Sequence, residues 1–331
     1  MIEITRTPEL EFALEAVRQA ALLVKAVQAE MVSPALTKND RSPVTIADFA
    51  SQAAVARLLQ GAYPGDALVA EEDSAALRTP AESASLAQVT HFVRRLAPGA
   101  SSEQVCAWID HGAGSPARRF WTLDPIDGTK GFLRGDQYAV ALALIEEGKV
   151  QVALLGCPNL VDGWNPDFEG AGSLAFAVRG QGAWVLPLVG AGLPQPLRVS
   201  QIVDPAAARI LRSFESGHTD ADKIDDLAAS LQIQAEPVRM DSQAKYAVLA
   251  AGQGELLLRL LSPKRLDYKE KIWDQAAGSL VVEEAGGTVT DLDGKPLDFT
   301  AGRELAHNRG LLVSNGLLHQ PALGALRAVG A

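Results

Sequence analysis

The sequence is poor in cysteine, and this limits the kinds of site it can form. Of its 331 residues only two are cysteine, Cys106 and Cys157, and they lie in different parts of the chain. Neither belongs to a C-x-x-C pair, and they share no zinc-type spacing with the five histidines. A disulfide framework and a structural zinc site are therefore not expected, whereas a reducing, cytoplasmic compartment is.

Positive charge and long apolar runs are also scarce. Lys and Arg number 30 against 40 Asp and Glu, the net charge is −10, and no lysine-rich stripe is present. Nucleic acid is not expected as a partner, because phosphate backbones bind basic surfaces. The longest apolar run, YAVALALI at 138–145, is too short to span a bilayer, and the N-terminus lacks the pattern of a signal peptide. No membrane partner is expected.

What is present is an alternation of helix and strand patterns. Thr7 and Pro8 are typical of a helix start, and a second helix is predicted after Thr45, which places Asp48 in its first turn. The strand DALVAEEDS ends in carboxylates, and the apolar runs QYAVALALIEEGKVQVALLGCP and GSLAFAVRGQGAWVL each predict a hairpin. No repeat or low-complexity linker occurs, and residues 75–119 are the least informative.

These patterns predict an α/β (α+β) protein of layered helices and sheets. Residues 1–195 are expected to form an α+β lobe with a mixed antiparallel sheet, and residues 196–331 an α/β lobe. The interface between two such lobes is the natural place for a functional site.

The stretch WTLDPIDGTKGFLRG, residues 121–135, carries the strongest chemical signal. Its proline fixes the backbone between Asp124 and Asp127, so both carboxylates and the carbonyl of Ile126 can converge on one point. Adjacent carboxylates repel, but Mg²⁺ prefers oxygen ligands and turns that cost into binding. Taken alone, the same residues would also suit a surface turn.

Two residues that follow these aspartates are suited to an anion. Gly128 and Thr129 present backbone N–H groups and a hydroxyl just past the metal ligands. The whole cluster therefore predicts a site for a metal ion and a phosphate group.

Further carboxylates for such a site occur far along the chain. Glu71 and Glu72 lie at the end of the strand DALVAEEDS, and Asp274 lies at the start of a predicted helix in KIWDQAAGSLVVEEAGG. Asp274 alone would also be explained as a helix cap, and Asp48 as a partner of a helix dipole.

The motifs together resemble a known superfamily. SPVTIAD, VAEEDS, LDPIDGTKGF and IWDQAAGSLVVEEAGG, in this order, are similar to the lithium-sensitive, magnesium-dependent phosphatases that include inositol monophosphatase. The strings DPIDGTKGFLRGDQYAVALALIEEGKV, GSLAFAVRGQGAW, DSQAKY and YKEKIWD resemble its 3′(2′),5′-bisphosphate nucleotidase branch. The resemblance covers residues 7 to 316 and is weakest over 75–119.

This resemblance implies a fold, a reaction and a set of residues. The fold is a layered α/β/α/β/α sandwich, and the reaction is hydrolysis of the 3′-phosphate of adenosine 3′,5′-bisphosphate, or of its sulfated relative, by metal-activated water. Two or three Mg²⁺ ions would be bound by Glu71, Asp124, the Ile126 carbonyl, Asp127 and Asp274. Thr129, oriented by Asp48, would help to deprotonate the water, and Gly128 and Thr129 would hold the phosphate. The nucleotide contacts would be His218, Ser242, Lys245 and Arg259, together with Asp274.

Some of these positions depart from the pattern or allow another explanation. Thr219 follows His218 where the family more often has Ser, and Ala70 stands where many relatives have Gly. Ser242 and Lys245 are three apart and are predicted to share one face of a helix. Arg259 lies in an apolar strand and must find an anion, for which a partly buried salt bridge is the alternative.

Competing motifs are weaker. Asp291 and Asp293 in TDLDGKPLD are similar to the nucleophile motif of haloacid dehalogenase phosphatases, but Lys295 stands where those enzymes need Thr or Val, so a hairpin turn is predicted. EEGKV and LDGKP lack the remaining residues of a P-loop. The cationic run at 259–271 is either an anion-attracting rim or a solvated face.

Two other functions stay open at this point. An inositol phosphate phosphatase is disfavoured by Lys130 and Gly131, which replace the Thr-Asn pair typical of inositol monophosphatases. A nucleotide- or metal-binding sensor without turnover is disfavoured because every implied ligand and Thr129 are present. The partner expected is a small bisphosphate nucleotide, and the enzyme is expected to be a monomer or a homodimer.

Overall fold

A computed structural model describes residues 4–32, 42–214 and 219–331 of the chain. The α-helices of these ranges are α1 Pro8–Met31, α2 Ser42–Ala62, α3 Ser83–Val93, α4 Ser102–Asp110, α5 Thr129–Leu133, α6 Ala221–Ser230, α7 Ala244–Ala250, α8 Ala276–Glu284 and α9 His319–Ala328. The strands are β1 Ala67–Ala70, β2 Arg119–Asp127, β3 Ala139–Glu146, β4 Lys149–Cys157, β5 Leu160–Val161, β6 Asn165–Pro166, β7 Ser173–Val178, β8 Ala183–Pro187, β9 Gln195–Pro196, β10 Ile210–Arg212, β11 Val238–Arg239, β12 Leu256–Arg259, β13 Thr288–Thr290 and β14 Leu311–Ser314. None of the described helices combines the length and the apolar character needed to cross a membrane.

The first half of the chain forms a seven-stranded sheet in the order β1-β2-β3-β4-β7-β8-β9. Strand β1 pairs with β2 in parallel, and the remaining neighbours are antiparallel, so the sheet is mixed as predicted. The predicted hairpins are β3-β4 and β7-β8. In β2 the pairing register shifts between Asp124 and Asp127, where Pro125 cannot donate to the ladder. The two aspartates therefore lie in a bulge at the end of a buried strand.

The second half forms a five-stranded sheet in the order β11-β10-β12-β14-β13. Strands β11, β10 and β12 run parallel, and β14 and β13 are antiparallel to their neighbours. Leu256–Arg259 of β12 lies near the middle of this sheet, with apolar side chains on either side of it. This arrangement carries Arg259 to the end of a buried strand.

Five layers result, because each sheet has helices on both faces. Helices α1 and α2 cover one face of the seven-stranded sheet, and α8 packs on its other face, where α7 also contacts β4. The same α7 and α8 contact the five-stranded sheet through β12 and β13, and the apolar side chains between the sheets form one core. Helices α6 and α9 pack on the other face of the five-stranded sheet. The predicted α/β/α/β/α sandwich is confirmed.

Helix and strand ends differ from the predictions in three places. Helix α1 begins at Pro8 as predicted, with the Thr7 side chain accepting a hydrogen bond from the Leu10 N–H at 3.2 Å. Helix α2 begins at Ser42, before Thr45, so Asp48 lies in its second turn and not in the first.

The other two differences concern a strand and a turn. The apolar residues FWTL predict a short strand that stops before the aspartates, but β2 extends to Asp127 and includes them. A turn does form at 291–295, where the Asp291 carboxylate accepts hydrogen bonds from the backbone of Asp293 and Lys295, each at 2.9 Å. It does not close a hairpin, because β13 pairs with β14 at residues 311–314.

Candidate active site

One cavity of about 260 Å³ collects most of the predicted site residues at the junction of the two sheets. Those that line it are Glu71, Asp124, Ile126, Asp127, Gly128, Thr129, Ser242, Lys245, Arg259 and Asp274. They come from the ends of β1, β2 and β12, from the start of α5, and from the first turn of α7 or the residues just before α7 and α8. The fold thus brings together residues that are separated by more than half of the chain, as Glu71 and Asp274 are.

Residues 124–127, called the aspartate turn from here on, are fixed by a hydrogen bond to α2. Ser51 of α2 donates a hydrogen bond from its hydroxyl to the Pro125 carbonyl at 2.9 Å, and both groups are buried. Thr122 donates to the Val69 carbonyl at 3.0 Å, which ties β2 to β1 just before Glu71. The strand ends that carry Glu71 and Asp124 are therefore fixed relative to each other.

Gly128 is required where the two halves of the molecule meet. Its φ is +92°, a conformation that favours glycine, and it caps the short helix that begins at Thr129. A Cβ atom at this position would lie 2.7 Å from the Cβ of Ser242. Any side chain here would push the segment before α7 away from the aspartate turn.

The carboxylates of the cavity raise one another's pKa. Asp124 is only 2 % exposed, and burial, followed by the charges of Glu71, Asp127 and Asp274, raises its pKa well above the usual range. Burial, followed by the charge of Asp127, also raises the pKa of Asp274 well above its usual range. The Glu71 side chain keeps solvent exposure, yet desolvation by the cavity walls, with Glu72 and Asp127 nearby, raises its pKa to about 7. Negative charge in this cavity is costly unless a cation neutralises it.

The donor set suits a hard divalent cation. All of the predicted ligands offer oxygen, and Asp124 Oδ1 is buried without a hydrogen-bond partner. In the described ranges, no three His, Cys, Asp or Glu side chains already surround one point as metal ligands would. The residues fit Mg²⁺ by the chemistry of their donor atoms, and their carboxyl groups would have to rotate toward a common centre to bind it.

The opposite wall of the cavity is cationic. Lys245 is 8 % exposed, and its ammonium donates to the Ser213 hydroxyl at 3.1 Å. Burial lowers its pKa to about 8, although Asp127 acts in the other direction. Desolvation raises the pKa of Asp127, and the positive charges of Lys245 and then Arg259 oppose that shift.

Arg259 is the second cation, and its predicted alternative partner is present. Its Nε lies 3.2 Å from Oε1 of Glu270, a buried carboxylate, although the N–H does not point at that oxygen well enough for a hydrogen bond. Burial would lower the pKa of Arg259, but Glu270 and then Asp274 outweigh it and the pKa is raised. The guanidinium therefore stays charged beside the cavity and keeps a buried N–H available.

One predicted placement is wrong, and the roles of two further residues stay predictions. Ser242 does not share a helical face with Lys245, because it precedes α7 and has a φ of +68°. Asp48 does not line the cavity; it lies buried close enough to Glu72 and Glu71 for their charges, after burial, to raise its pKa. His218 lies outside the described residues.

Several cavity residues were missed by sequence reasoning. Ser213, Gln243, Tyr246, Tyr268 and Gln275 also line the cavity. Gln243 and Tyr246 belong to DSQAKY, and Tyr268 to YKEKIWD, so the motifs that carry the resemblance contained this signal. Ser213 lies in an ordinary strand pattern and gives no local sign of its position.

A smaller cavity of about 90 Å³ adjoins the first one. The two share Ser213, Lys245, Leu257 and Arg259. Beyond these residues its walls are mixed, because Leu211, Ile224 and the half-exposed ring of Phe214 are apolar whereas Arg212 and Arg239 are basic. A ligand that reaches both cavities would place polar groups near the carboxylates and an apolar or aromatic group in the smaller one.

Comparisons with known proteins agree with this geometry. The model of the inositol monophosphatase family matches residues 6–328. A 3′(2′),5′-bisphosphate nucleotidase of Schizosaccharomyces pombe is 41% identical over an alignment of 339 positions, which covers 97% of this chain and 95% of that protein. One of Oryza sativa with the same name is 43% identical, with 96% and 93% covered. Among solved structures, an IMPase of Thermotoga maritima has a TM-score of 0.66 at 20% identity and covers 98% of each chain, a likeness of fold.

Proposed function

Because this chain belongs to the inositol monophosphatase family, we propose that it is a 3′(2′),5′-bisphosphate nucleotidase. Its substrate would be adenosine 3′,5′-bisphosphate, which gives AMP and phosphate, or the sulfated relative, which gives adenylyl sulfate and phosphate. The observation that carries the proposal is the cavity in which a group of carboxylates lies with Lys245 and Arg259. Relatives of the same name at 41% and 43% identity support the choice of substrate.

In the proposed reaction one bond forms and one breaks. The oxygen of a water molecule attacks the 3′-phosphorus, the bond from phosphorus to the 3′-oxygen breaks, and that oxygen takes up a proton. Members of this family are generally magnesium-dependent. We propose that Glu71, Asp124, the Ile126 carbonyl, Asp127 and Asp274 hold two or three Mg²⁺ ions. Bound magnesium lowers the pKa of water and neutralises charge that develops on the leaving oxygen.

The remaining roles near the scissile phosphate fall to the aspartate turn and α5. The backbone N–H groups of Gly128 and Thr129, with the Thr129 hydroxyl, are proposed to bind the phosphate. Thr129 faces the cavity from the first residue of α5, and its hydroxyl is proposed to take part in deprotonating the water. Asp48 is proposed to orient Thr129 from α2, which contacts α5.

The second phosphate and the base are proposed to occupy the cationic wall and the smaller cavity. Lys245 and Arg259 border both cavities, so either cation can meet a phosphate on a ligand that spans them. Ser242 adds a hydroxyl beside them. The apolar side chains of the smaller cavity offer contacts for a purine ring, and Arg212 and Arg239 add polar groups beside them. His218 and Asp274 complete the proposed nucleotide contacts.

We also propose the setting in which the enzyme works. Cys106 and Cys157 are both buried and unpaired, which suits a reducing cytoplasm. The substrate partner is a small phosphate ester, no nucleic acid partner is proposed, and the enzyme acts as a monomer or a homodimer.

A substrate panel tests the proposal. Phosphate release is measured from adenosine 3′,5′-bisphosphate, its sulfated form, inositol 1-phosphate, inositol 1,4-bisphosphate and fructose 1,6-bisphosphate, with Mg²⁺ and with added Li⁺. We expect the highest kcat/KM for the two nucleotides, a requirement for Mg²⁺ and inhibition by Li⁺. A preference for an inositol phosphate would overturn the substrate assignment, and Mg²⁺-dependent nucleotide binding without phosphate release would indicate a sensor.

A further inference from the structure

Three consecutive residues between β11 and α7 contact the aspartate turn and the residues after it. The carboxylate of Asp241 pairs with the Arg134 guanidinium, and Ser242 packs against Gly128. The backbone N–H of Gln243 donates to Asp127 Oδ2 at 2.8 Å. We call residues 241–243 the clasp, since they join the second half of the molecule to the aspartate turn.

The clasp is held in an uncommon backbone conformation. Ser242 has a φ of +68°, in the left-handed region that few residues other than glycine adopt. This conformation turns the chain so that the Gln243 N–H points at Asp127 while the Gln243 side chain enters the interior. Such strain persists only where surrounding contacts enforce it, and the contacts of Asp241 and Ser242 are the ones that do so here.

The Gln243 side chain continues from Asp127 to the segment that carries Asp274. It is 1 % exposed, and its amide nitrogen donates to the Trp273 carbonyl at 3.1 Å. Its amide oxygen accepts from the Gly278 N–H at 3.2 Å, in the first turn of α8. Trp273 and Gly278 flank Asp274 along the chain, so both ends of the amide fix the segment from which that carboxylate projects.

We infer that Gln243 is a positioning residue that sets the separation of Asp127 and Asp274, and thereby the affinity of the site for Mg²⁺. This inference rests on the proposed function, in which both aspartates are metal ligands. An amide of this length donates and accepts at the same time, whereas an ionised carboxylate only accepts and a thioether does neither well. Residues that orient metal ligands typically change metal affinity or activity by about 10- to 100-fold when they are replaced.

Calorimetric titration of the free protein with MgCl₂ tests the inference without any turnover. We expect Gln243→Met to weaken Mg²⁺ binding by about 10-fold or more, and Gln243→Glu, which keeps the acceptor for Gly278 but loses the donor to Trp273, to weaken it as well. The matched control is Asn315→Leu. Asn315 is 2 % exposed and makes hydrogen bonds with Ile202 and Leu318 away from the cavity, so its loss should lower Tm and leave Mg²⁺ affinity unchanged.

The outcomes separate the two proposals. If the wild-type protein fails to bind Mg²⁺, the proposed function is overturned. If the wild type binds and both Gln243 variants bind equally well while losing only Tm, Gln243 is merely structural and the inference is wrong.

A measurement on the wild type decides the matter even if both variants unfold. Amide hydrogen exchange of Gln243 and Gly278 should slow when Mg²⁺ is added, whereas that of Leu318, which donates to Asn315, should not change. Unchanged exchange at Gln243 and Gly278 in the presence of bound Mg²⁺ would contradict the inference.

Discussion

At the scale of single residues, the site depends on opposite charges held a short distance apart in a desolvated cavity. Asp127 is the link between them: its neighbours on one side are carboxylates, and on the other side Lys245 and Arg259 lower its pKa against the effect of desolvation. An aspartate in this position can bind a metal cation on one side, and on the other side it can orient Lys245 and Arg259 toward a phosphate. Substitutions here should therefore change chemistry without disturbing the fold.

Asp127→Asn is predicted to abolish phosphate release with the fold intact. Asparagine keeps the volume and an oxygen that can accept the hydrogen bond from the Gln243 N–H, but it removes the charge proposed to bind Mg²⁺. Steady-state phosphate release and circular dichroism check both parts. Asp222→Asn, an exposed aspartate in the first turn of α6, is the control and should behave as wild type. A near-normal rate for Asp127→Asn would make the metal site wrong.

Arg259→Ala is predicted to raise KM for the nucleotide more than it lowers kcat. A hydrogen bond from a charged donor to phosphate contributes about 1.5–3 kcal/mol, which corresponds to a KM increase of about 10-fold or more. The matched substrate is adenosine 3′-monophosphate, which lacks the second phosphate and should show a smaller increase. Equal increases for both substrates would place Arg259 away from the second phosphate.

At the scale of elements, strand ends and helix starts supply the site, and some ends are fixed by buried polar contacts far from it. His319, at the first residue of α9, is 4 % exposed. Its Nδ1 lies 2.9 Å from the Ser314 hydroxyl and its Nε2 lies 3.0 Å from the Thr290 hydroxyl, so it joins α9 to β14 and β13. Burial lowers the pKa of His319, and the folded state therefore favours the neutral ring.

This burial predicts a pH dependence of stability. Below the unfolded pKa of about 6.5 the unfolded chain binds a proton that the folded protein does not, so stability falls as pH decreases. The contribution of one group is at most about 1.4 kcal/mol per pH unit. Urea unfolding of wild type and His319→Gln between pH 7.5 and about 5.5 checks it, because the variant should lose this part of the slope. Parallel curves for the two proteins would contradict the assignment.

The sequence predicted local elements and local chemistry well, and long-range geometry poorly. The turn around Pro125 was visible because its residues are adjacent, and the layered fold followed from the motifs. Asp274 was a candidate ligand by its residue type, but only the family resemblance favoured that role over a helix cap. The positive φ of Ser242 was not visible, since it depends on Gly128 and Arg134, which contact it or its neighbour from far along the chain. The start of α2 was misplaced because the pattern after Thr45 looked like a cap.

At the scale of the whole molecule, Arg303 connects the two sheets behind the cavity. Its guanidinium donates to the carbonyl of Ala70, the residue before Glu71, and to that of Gly114 at 3.2 Å. It also lies 4.9 Å from the ring centroid of Trp273, the residue before Asp274. One side chain thus supports carboxylate-bearing segments from both halves of the molecule. The division into lobes at residues 195 and 196 stays a prediction.

Arg303→Met is predicted to destabilise the protein by about 1–3 kcal/mol, because two backbone carbonyls lose their donor. Methionine keeps much of the contact with Trp273, so the loss reports on the hydrogen bonds. Urea unfolding measures the change. The control is Arg118→Met, whose side chain is 85 % exposed and whose effect should stay within about 0.5 kcal/mol. Equal effects of the two substitutions would show that Arg303 does not join the halves.

The position of α8 between the two sheets also has a consequence for how the protein is made. The helix covers β4 and β7, which end by residue 178, but α8 itself begins only at Ala276. During synthesis the first sheet therefore leaves the ribosome with one apolar face open until about a hundred more residues have been added. Nascent chains that stall in this interval should bind chaperones, and release should coincide with the emergence of α8.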